Sequence, residues 1–99
     1  MDLSAQYIDC TYLNTDQVTN MRGMFFNCRY LKAIELSQLN TQEVTTMRSM
    51  FFNCSALRNL DLSNFQTENV TNMFLTFAKC RSLTSLDLSM LHINKACNT

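Results

Sequence analysis

The sequence lacks net charge, long apolar runs and a signal-peptide pattern. Eight basic residues balance eight acidic ones, so no long-range attraction to nucleic acid or to an anionic membrane is expected. Its apolar runs fall far short of the roughly 20 residues that cross a bilayer, and the first ten residues, MDLSAQYIDC, lack the basic and apolar regions of a signal peptide. We therefore expect neither nucleic-acid binding nor membrane insertion.

Cysteine pairs and catalytic motifs are also lacking. The five cysteines are an odd number and form no CxxC pair, which favours reduced, buried thiols over a zinc site. The chain has no Ser/His/Asp set, no glycine-rich phosphate loop and no ligand cluster. We therefore expect no enzyme activity, no cofactor and no metal. His92 is interpreted as a loop residue, and Cys97 as either a frayed terminal cysteine or a reactive thiol.

What the sequence does contain is a tandem repeat with a period of 26. The string TNMRGMFFNC at residues 19–28 returns as TTMRSMFFNC at residues 45–54. Aligning the chain on itself gives one repeat domain over residues 1–99, with the units 8–33, 34–59, 60–85 and a partial unit 86–99. Because one unit buries too little apolar surface to fold alone, the units must stack on one another.

Two apolar spacings alternate within each unit. Leu57, Leu60 and Leu62 have the LxxLxL form that is typical of a short parallel strand. The set from Val44 through Met47 to Cys54 steps by three and four residues, which predicts a short helix. We therefore predict an α/β leucine-rich-repeat solenoid of about 3.5 units, with strands on one face and helices on the other. Threonines suited to the turns that begin the helices recur once per unit, at positions 15, 41 and 67, and those at 19, 45 and 71 are the alternative caps.

Residues 60–73, LDLSNFQTENVTNM, resemble the 26-residue repeats of the BspA-like bacterial surface proteins, a leucine-rich-repeat subclass. The resemblance covers about residues 8–91. It implies a curved solenoid that is displayed as a binding surface, often for adhesion, with no catalytic residues to transfer. The third unit departs from the pattern, because Thr76 replaces the methionine of the first two units and Ala78 replaces their second phenylalanine.

The methionine, phenylalanine and cysteine residues that recur at the same place in each unit, which we call columns, admit two interpretations. Their helical spacing and strict repetition favour a core stripe, in which methionine fills irregular gaps. The alternative is a copper(I) site built from Met and Cys. We predict the core.

Two sets of residues are candidates for binding a protein. On a helical wheel the side chains of Phe26, Phe52 and Leu75 point away from the core, with Phe74 near the same surface, which predicts either an interface or packing between helices. The second set is an acidic ladder on the strands, formed by Asp9, Glu35, Asp61 and Asp87. It is either a solvated column or a site for a basic partner or a cation.

We therefore predict a non-enzymatic protein-binding repeat module of the adhesion type. The alternative is a small structural or regulatory subunit, docked into a larger assembly by its open ends and its outer helix face. The partner is a protein of unknown identity, and self-association through the open repeat ends is a further expectation. The cellular compartment is not decided: we expect the cell surface if the chain is a fragment of a secreted array, and the cell interior if it is the complete chain.

Overall fold

The computed structural model describes residues 3–84, 86–89 and 91. Two short strands, β1 (Tyr7–Asp9) and β2 (Ala33–Glu35), form a parallel two-stranded sheet. Isolated parallel bridges join Asn20 to Thr46 and Thr46 to Asn72. Each of these pairings joins positions 26 residues apart, so consecutive copies of the repeat lie side by side in register.

The predicted α/β solenoid with short helices is wrong. None of the described residues is helical, and their strands are limited to β1 and β2. The LxxLxL stretch at residues 57–62 is buried in part but forms no strand. The stretches predicted as helices are runs of overlapping turns, which we call the first, second and third turn segments: residues 20–28, 46–54 and 72–80.

Backbone hydrogen bonds explain why the turn segments are not helices. The amides of Met24, Phe26 and Cys28 donate to the carbonyl three residues back. The alternate amides cross instead to the second turn segment, with the N···O distances Met21 to Thr46 3.0 Å, Gly23 to Arg48 2.9 Å, Phe25 to Met50 2.8 Å and Asn27 to Phe52 2.8 Å. An α-helix needs each amide for the carbonyl four residues back, so the bonds between repeats exclude it.

The second and third turn segments pair in the same way. The crossing bonds run from Met47 N to Asn72 O at 2.9 Å through to Asn53 N to Ala78 O at 2.9 Å. Every second amide of the first and second turn segments is thus satisfied by the next repeat. Each repeat depends on its neighbour for half of these backbone bonds.

Each turn segment also contains two residues with a left-handed backbone. In the first they are Gly23, with φ of 64°, and Asn27, with φ of 61°. The equivalent residues are Ser49 (58°), Asn53 (59°), Leu75 (60°) and Lys79 (61°). Because an α-helix requires φ near −63°, a left-handed residue at every fourth position stops a helix from forming. Glycine and asparagine adopt this conformation most easily, and they are the signal of it in the sequence.

The core lies along the inner side of the turn segments, as predicted. Met47, Phe51 and Cys54 are at most 1% exposed. The rings of Phe25, Phe51 and Phe77 form a continuous stack, with centroid separations of 5.4 and 5.9 Å. The prediction that the Met, Phe and Cys columns are core is confirmed.

A buried threonine column joins the repeats on another side. The Thr41 hydroxyl donates to the carbonyl of Gln66 at 3.1 Å and accepts from the Gln66 amide at 2.8 Å. Thr15 makes the same pair of bonds with Asn40, at 2.8 and 3.0 Å. The prediction that these threonines begin helices is wrong, because their hydroxyls bond to the next repeat.

Thr76 occupies a core position that methionine holds in the second repeat. It is 2% exposed, and its hydroxyl oxygen lies 2.9 Å from the carbonyl oxygen of Met47 and 2.7 Å from that of Met73, which share its single proton. The buried hydroxyl is therefore fully used within the fold. None of the described residues forms a helix with the length and hydropathy needed to span a membrane.

Candidate protein-binding surface

The four carboxylates of the acidic ladder each close a turn of the backbone that follows them. Each carboxylate accepts a hydrogen bond from the amide two residues later, and the four N···O distances are Thr11 to Asp9 2.9 Å, Ser37 to Glu35 2.9 Å, Ser63 to Asp61 3.0 Å and Ser89 to Asp87 2.9 Å. These bonds explain the alternation of an acid with Ser or Thr in the sequence, since a short acidic side chain readily bonds the backbone just after it.

The same hydrogen bonds lower the pKa values of the ladder's carboxyl groups. Hydrogen bonds from the hydroxyl and then the amide of Ser37 lower the pKa of the Glu35 carboxyl, while the charges of Asp9 and Asp61 oppose this shift. The pKa of Asp61 is lowered by Ser63, and that of Asp87 by Ser89, for the same reason. The carboxylates therefore remain charged to lower pH than free side chains. Their position is structural, whether or not a basic partner also uses them.

A second set of side chains lies on the outer side of the turn segments. We call Phe26, Phe52, Phe74 and Leu75 the outer aromatic face. The Phe26 ring is stacked on the Phe52 ring with centroids 5.0 Å apart and planes 9° apart, and Phe26 is 42% exposed. The outward direction that the helical wheel predicted is confirmed for Phe26, although none of the described residues is helical.

Cations flank these rings. The Arg48 guanidinium lies 4.9 Å from the centroid of Phe74, and the Lys79 ammonium lies 5.7 Å from that of Phe52. Phe52 and Phe74 are each partly buried. Phe52 and Phe74 thus pack between repeats while Phe26 and Leu75 are exposed, and their role in an interface stays a prediction.

Leu75 is the unusual member of the outer aromatic face. It is 38% exposed and has a left-handed backbone, in the column that holds Gly23 and Ser49 in the earlier repeats. A β-carbon built on Gly23 would lie 3.6 Å from the β-carbon of Phe26, so these two columns adjoin. Leu75 is therefore the neighbour of Ala78, where the column of outer phenylalanines ends.

An apolar hollow lies beside Leu75 at the C-terminal edge. Its volume is about 420 Å³. The lining residues come from the third turn segment and from the start of the fourth repeat: Met73, Leu75, Thr76, Phe77, Ala78, Leu88 and Leu91. We call it the C-terminal hollow. It brings Leu75 together with Leu88, which is 42% exposed.

The structure also contains a polar hollow that was not predicted from the sequence. It has a volume of about 250 Å³ and is lined largely by carboxamides, including Gln38, Asn40, Asn64 and Gln66. The recurrence of Asn or Gln at positions 14, 40 and 66 was the available signal. Several of these groups are already engaged: the Asn64 side-chain amide donates to the carbonyl of Leu39 at 3.2 Å.

The thiol of Cys54, in the second turn segment, is unsuited to covalent chemistry near neutral pH. Cys54 is fully buried, and its thiol lies 3.2 Å from the carbonyl of Phe25, to which it donates. Burial, with smaller contributions from Cys80 and Cys28, raises the pKa of Cys54 to about 12. A thiolate is the reactive form, so Cys54 is unreactive near neutral pH. No three His, Cys, Asp or Glu side chains among the described residues are grouped so as to hold a metal. His92 and Cys97 lie outside the described residues.

A comparison with known protein families gives a match over nearly the whole chain. A family model described as "Mycoplasma protein of unknown function, DUF285" matches residues 2–99. The chain matches no curated protein and no solved structure. The family match covers all three turn segments, the acidic ladder and the outer aromatic face, and its description assigns none of them an activity.

Proposed function

We propose, starting from the fact that this chain belongs to the DUF285 family, that it is a non-enzymatic protein-binding repeat module whose contact surface is the outer aromatic face. The family description names no substrate or partner. The proposal therefore rests on the chemistry of the surface. The resemblance of residues 60–73 to BspA-like adhesion repeats favours the same kind of function.

The observation that carries the proposal is the conformation of Leu75. A left-handed backbone costs a residue other than glycine about 1–2 kcal/mol. The fold does not require leucine there, because the equivalent positions hold Gly23 and Ser49 with nearly the same φ. An exposed apolar side chain held at a strained position is typical of a functional site. Contact with a partner is the gain that offsets the strain.

The composition of the surface agrees with this interpretation. Protein interfaces are enriched in aromatic residues and arginine and depleted of lysine. The outer aromatic face presents the Phe26 ring and the Leu75 side chain, with Arg48 held against Phe74. Arg48 is thereby oriented without a partner, which reduces the ordering that binding must impose on it.

A docked subunit of a larger assembly is the second candidate. The C-terminal hollow favours it, because an apolar hollow lined in part by exposed side chains is a surface that a further protein can cover. Both candidates are non-enzymatic. The burial of the Cys54 thiol and the engagement of the ladder carboxylates in turns support that part of the proposal.

The experiment compares proteins retained by the immobilised chain and by two variants, using quantitative mass spectrometry. Phe26→Ser removes the most exposed ring of the face, and Leu75→Gly removes the side chain while keeping a residue suited to the left-handed backbone. Tyr12→Ser is the matched control, since Tyr12 is 93% exposed and lies outside the turn segments. We expect one set of proteins to be retained by the native chain and by Tyr12→Ser, and to be lost in both face variants. Retention by all four chains would refute the outer aromatic face as the contact surface.

A further inference from the structure

We infer that the partner of the outer aromatic face is an acidic, partly apolar polypeptide segment, held by the cationic side chains of Arg22, Arg48 and Lys79. This inference rests on the proposed protein-binding function and names the chemistry of the partner. It follows from how charge is distributed around each repeat and from which charged groups are already bonded within the fold.

The zero net charge of the chain conceals a separation of charge within each repeat. The described residues include seven acids and seven bases. All of these acids fall within the first ten residues of their units, at Asp9, Asp16, Glu35, Glu43, Asp61, Glu68 and Asp87. All of the bases fall within the last twelve residues, at Arg22, Arg29, Lys32, Arg48, Arg58, Lys79 and Arg81. Each complete unit therefore has an acidic first part and a basic second part.

The fold places these two parts on opposite sides of the core. Residues 26 apart pair in β1 and β2 and at the isolated bridges, so each repeat runs once around the core and returns to its starting point. Leu39 from the first part of the second unit and Phe51 from its second part are both buried in that core. The outward side chains of the two parts therefore form an acidic side and a basic side.

The two sides act separately on a partner. The fold extends over 33 × 27 × 20 Å, whereas exposed charges are screened over about 8 Å at physiological ionic strength. A partner that lies against the turn segments is therefore attracted or repelled mainly by the cations beside it. The balance of eight basic and eight acidic residues does not exclude an anionic partner at this surface.

The basic residues of the turn segments lie among the rings of the outer aromatic face. The Gly23 amide donates to the carbonyl of Arg48 at 2.9 Å, and this register puts Arg22 and Arg48 in the same column on neighbouring repeats. The head groups of Arg48 and Lys79 lie 4.9 and 5.7 Å from the centroids of rings of this face. The cations and the apolar groups thus form one continuous surface.

Most of the acids are bonded within the fold, whereas the cations of the turn segments are not. The four ladder carboxylates close turns, and Asp16 accepts from the side-chain amide of Asn40 at 3.1 Å. Among the described residues no carboxylate pairs with Arg22, Arg48 or Lys79. Like charges on neighbouring repeats repel, and a carboxylate placed between the two arginines relieves this repulsion. The basic side therefore gains more from an oppositely charged partner.

Both kinds of group on the surface define the partner. Arginine binds a carboxylate through two parallel hydrogen bonds, and Phe26 and Leu75, which are 42% and 38% exposed, offer apolar contacts. Aspartate or glutamate beside apolar residues meets both requirements. The phosphates of a nucleic acid would pair with the cations but would leave the Leu75 side chain without an apolar contact. The surface therefore favours an acidic polypeptide over a nucleic acid.

The test measures binding of the whole chain to polymers of defined composition by fluorescence anisotropy. The probe is a random copolymer of glutamate and tyrosine, compared with a random copolymer of lysine and tyrosine and with a duplex DNA of random sequence. We expect the acidic copolymer to bind about tenfold or more tightly than either, with an affinity that falls as salt rises from about 50 to about 300 mM. Equal or tighter binding of the basic copolymer or of the DNA would overturn the inference.

Two double variants locate the contact. Arg22→Gln with Arg48→Gln removes both arginines from the turn segments. Arg58→Gln with Arg81→Gln removes the same charge at exposed residues outside them. We expect affinity for the acidic copolymer to fall about tenfold in the first variant and to stay within about threefold in the second. Equal losses in the two variants would overturn the inference.

Circular dichroism melts check that both double variants fold. If the turn-segment variant does not fold, Arg22→Gln alone replaces it, with Arg58→Gln as its control. A loss of about threefold in the first and none in the second is then expected. Equal affinities of these two single variants would likewise overturn the inference.

Sedimentation and protein capture separate this inference from the proposed function. Dimers of the native chain that dissociate in high salt and are lost in the arginine double variant would identify a second copy as the acidic partner, and would overturn the inference. Capture that is lost in Phe26→Ser and Leu75→Gly but unchanged in the arginine double variant would refute this inference alone. Capture that is lost only in the arginine double variant would support it and would refute the outer aromatic face as the contact surface.

Discussion

Leu75 has the same left-handed backbone as Gly23 two repeats earlier, with φ of 60° against 64°. The two residues therefore occupy equivalent corners of the turn segments, although one has no side chain and the other has a large apolar one. The fold accommodates leucine at this left-handed position, and the effect on the free energy of unfolding can be measured.

We expect Leu75→Gly to change the free energy of unfolding by less than about 1 kcal/mol. Relief of the left-handed strain, about 1–2 kcal/mol, roughly offsets the lost burial of a partly exposed leucine, which is less than the 1.5–3 kcal/mol of a fully buried one. Urea denaturation followed by circular dichroism measures the change. Leu75→Val is the matched control. It is a smaller chemical change, but β-branched residues rarely adopt positive φ, so it should destabilise by about 1 kcal/mol or more. A Val variant as stable as the native chain would show that the position is unstrained.

Thr41→Val tests the buried threonine column. The substitution keeps the shape and removes the hydroxyl, so the buried bonds to the carbonyl and amide of Gln66 are lost. We expect destabilisation of about 1–3 kcal/mol, the usual cost of leaving buried polar groups without partners. Thr45→Val is the control: its hydroxyl donates to the carbonyl of Thr19 at 3.1 Å, but the residue is exposed, so water can replace the bond. Equal losses in the two variants would contradict a special role for the buried column.

The turn-closing carboxylates predict a pH dependence of stability. The pKa of Asp61 is lowered in the folded chain by bonds from the hydroxyl and amide of Ser63, so the folded state binds fewer protons than the unfolded state and stability rises with pH. The contribution is complete above the ordinary pKa of aspartate, about 3.9, and is lost as the pH falls through the lowered folded value. Asp61→Asn keeps an acceptor oxygen and removes the charge.

We expect Asp61→Asn to flatten the dependence of unfolding free energy on pH below about 4. Ser63→Ala should flatten it in part, because it removes one donor to the carboxylate and leaves the amide. Urea titrations between pH 2.5 and 7 give the curves. Parallel curves for the native chain and for Asp61→Asn would rule out this carboxylate as a source of the acid sensitivity.

Thiol labelling tests the burial gradient along the turn segments. Cys54 is fully buried with its pKa raised to about 12, whereas Cys80 is partly buried. With iodoacetamide at pH 8 and mass-spectrometric readout, we expect Cys54 to react only on unfolding and Cys80 to react faster than Cys54 in the native state. Labelling in denaturant is the control and should make the two rates similar. If Cys54 were labelled faster than Cys80 in the native state, the assignment of Cys54 to the buried inner face would be wrong.

Much of the candidate surface could be predicted from the sequence. The helical wheel placed Phe26 and Leu75 outward, and both are exposed. It did so because an inward set spaced by three and four residues leaves the same residues outside, whether the chain is helical or turning. The polar hollow itself could not be predicted this way, because it forms between repeats, although the recurring Asn or Gln at positions 14, 40 and 66 marks part of its lining.

The period of 26 and the buried columns follow from the amino-acid sequence alone, because repetition in register and apolar identity are local properties that any stacked arrangement must satisfy. The sequence did not determine the backbone. Spacings of three and four fit a helix and a run of overlapping turns equally well, and Gly23 and Asn27 were only a local sign of the second. The folded structure distinguishes the two, because the acceptors for the amides of Met21, Gly23 and Phe25 are carbonyls of the next repeat, which become partners only once the repeats are stacked.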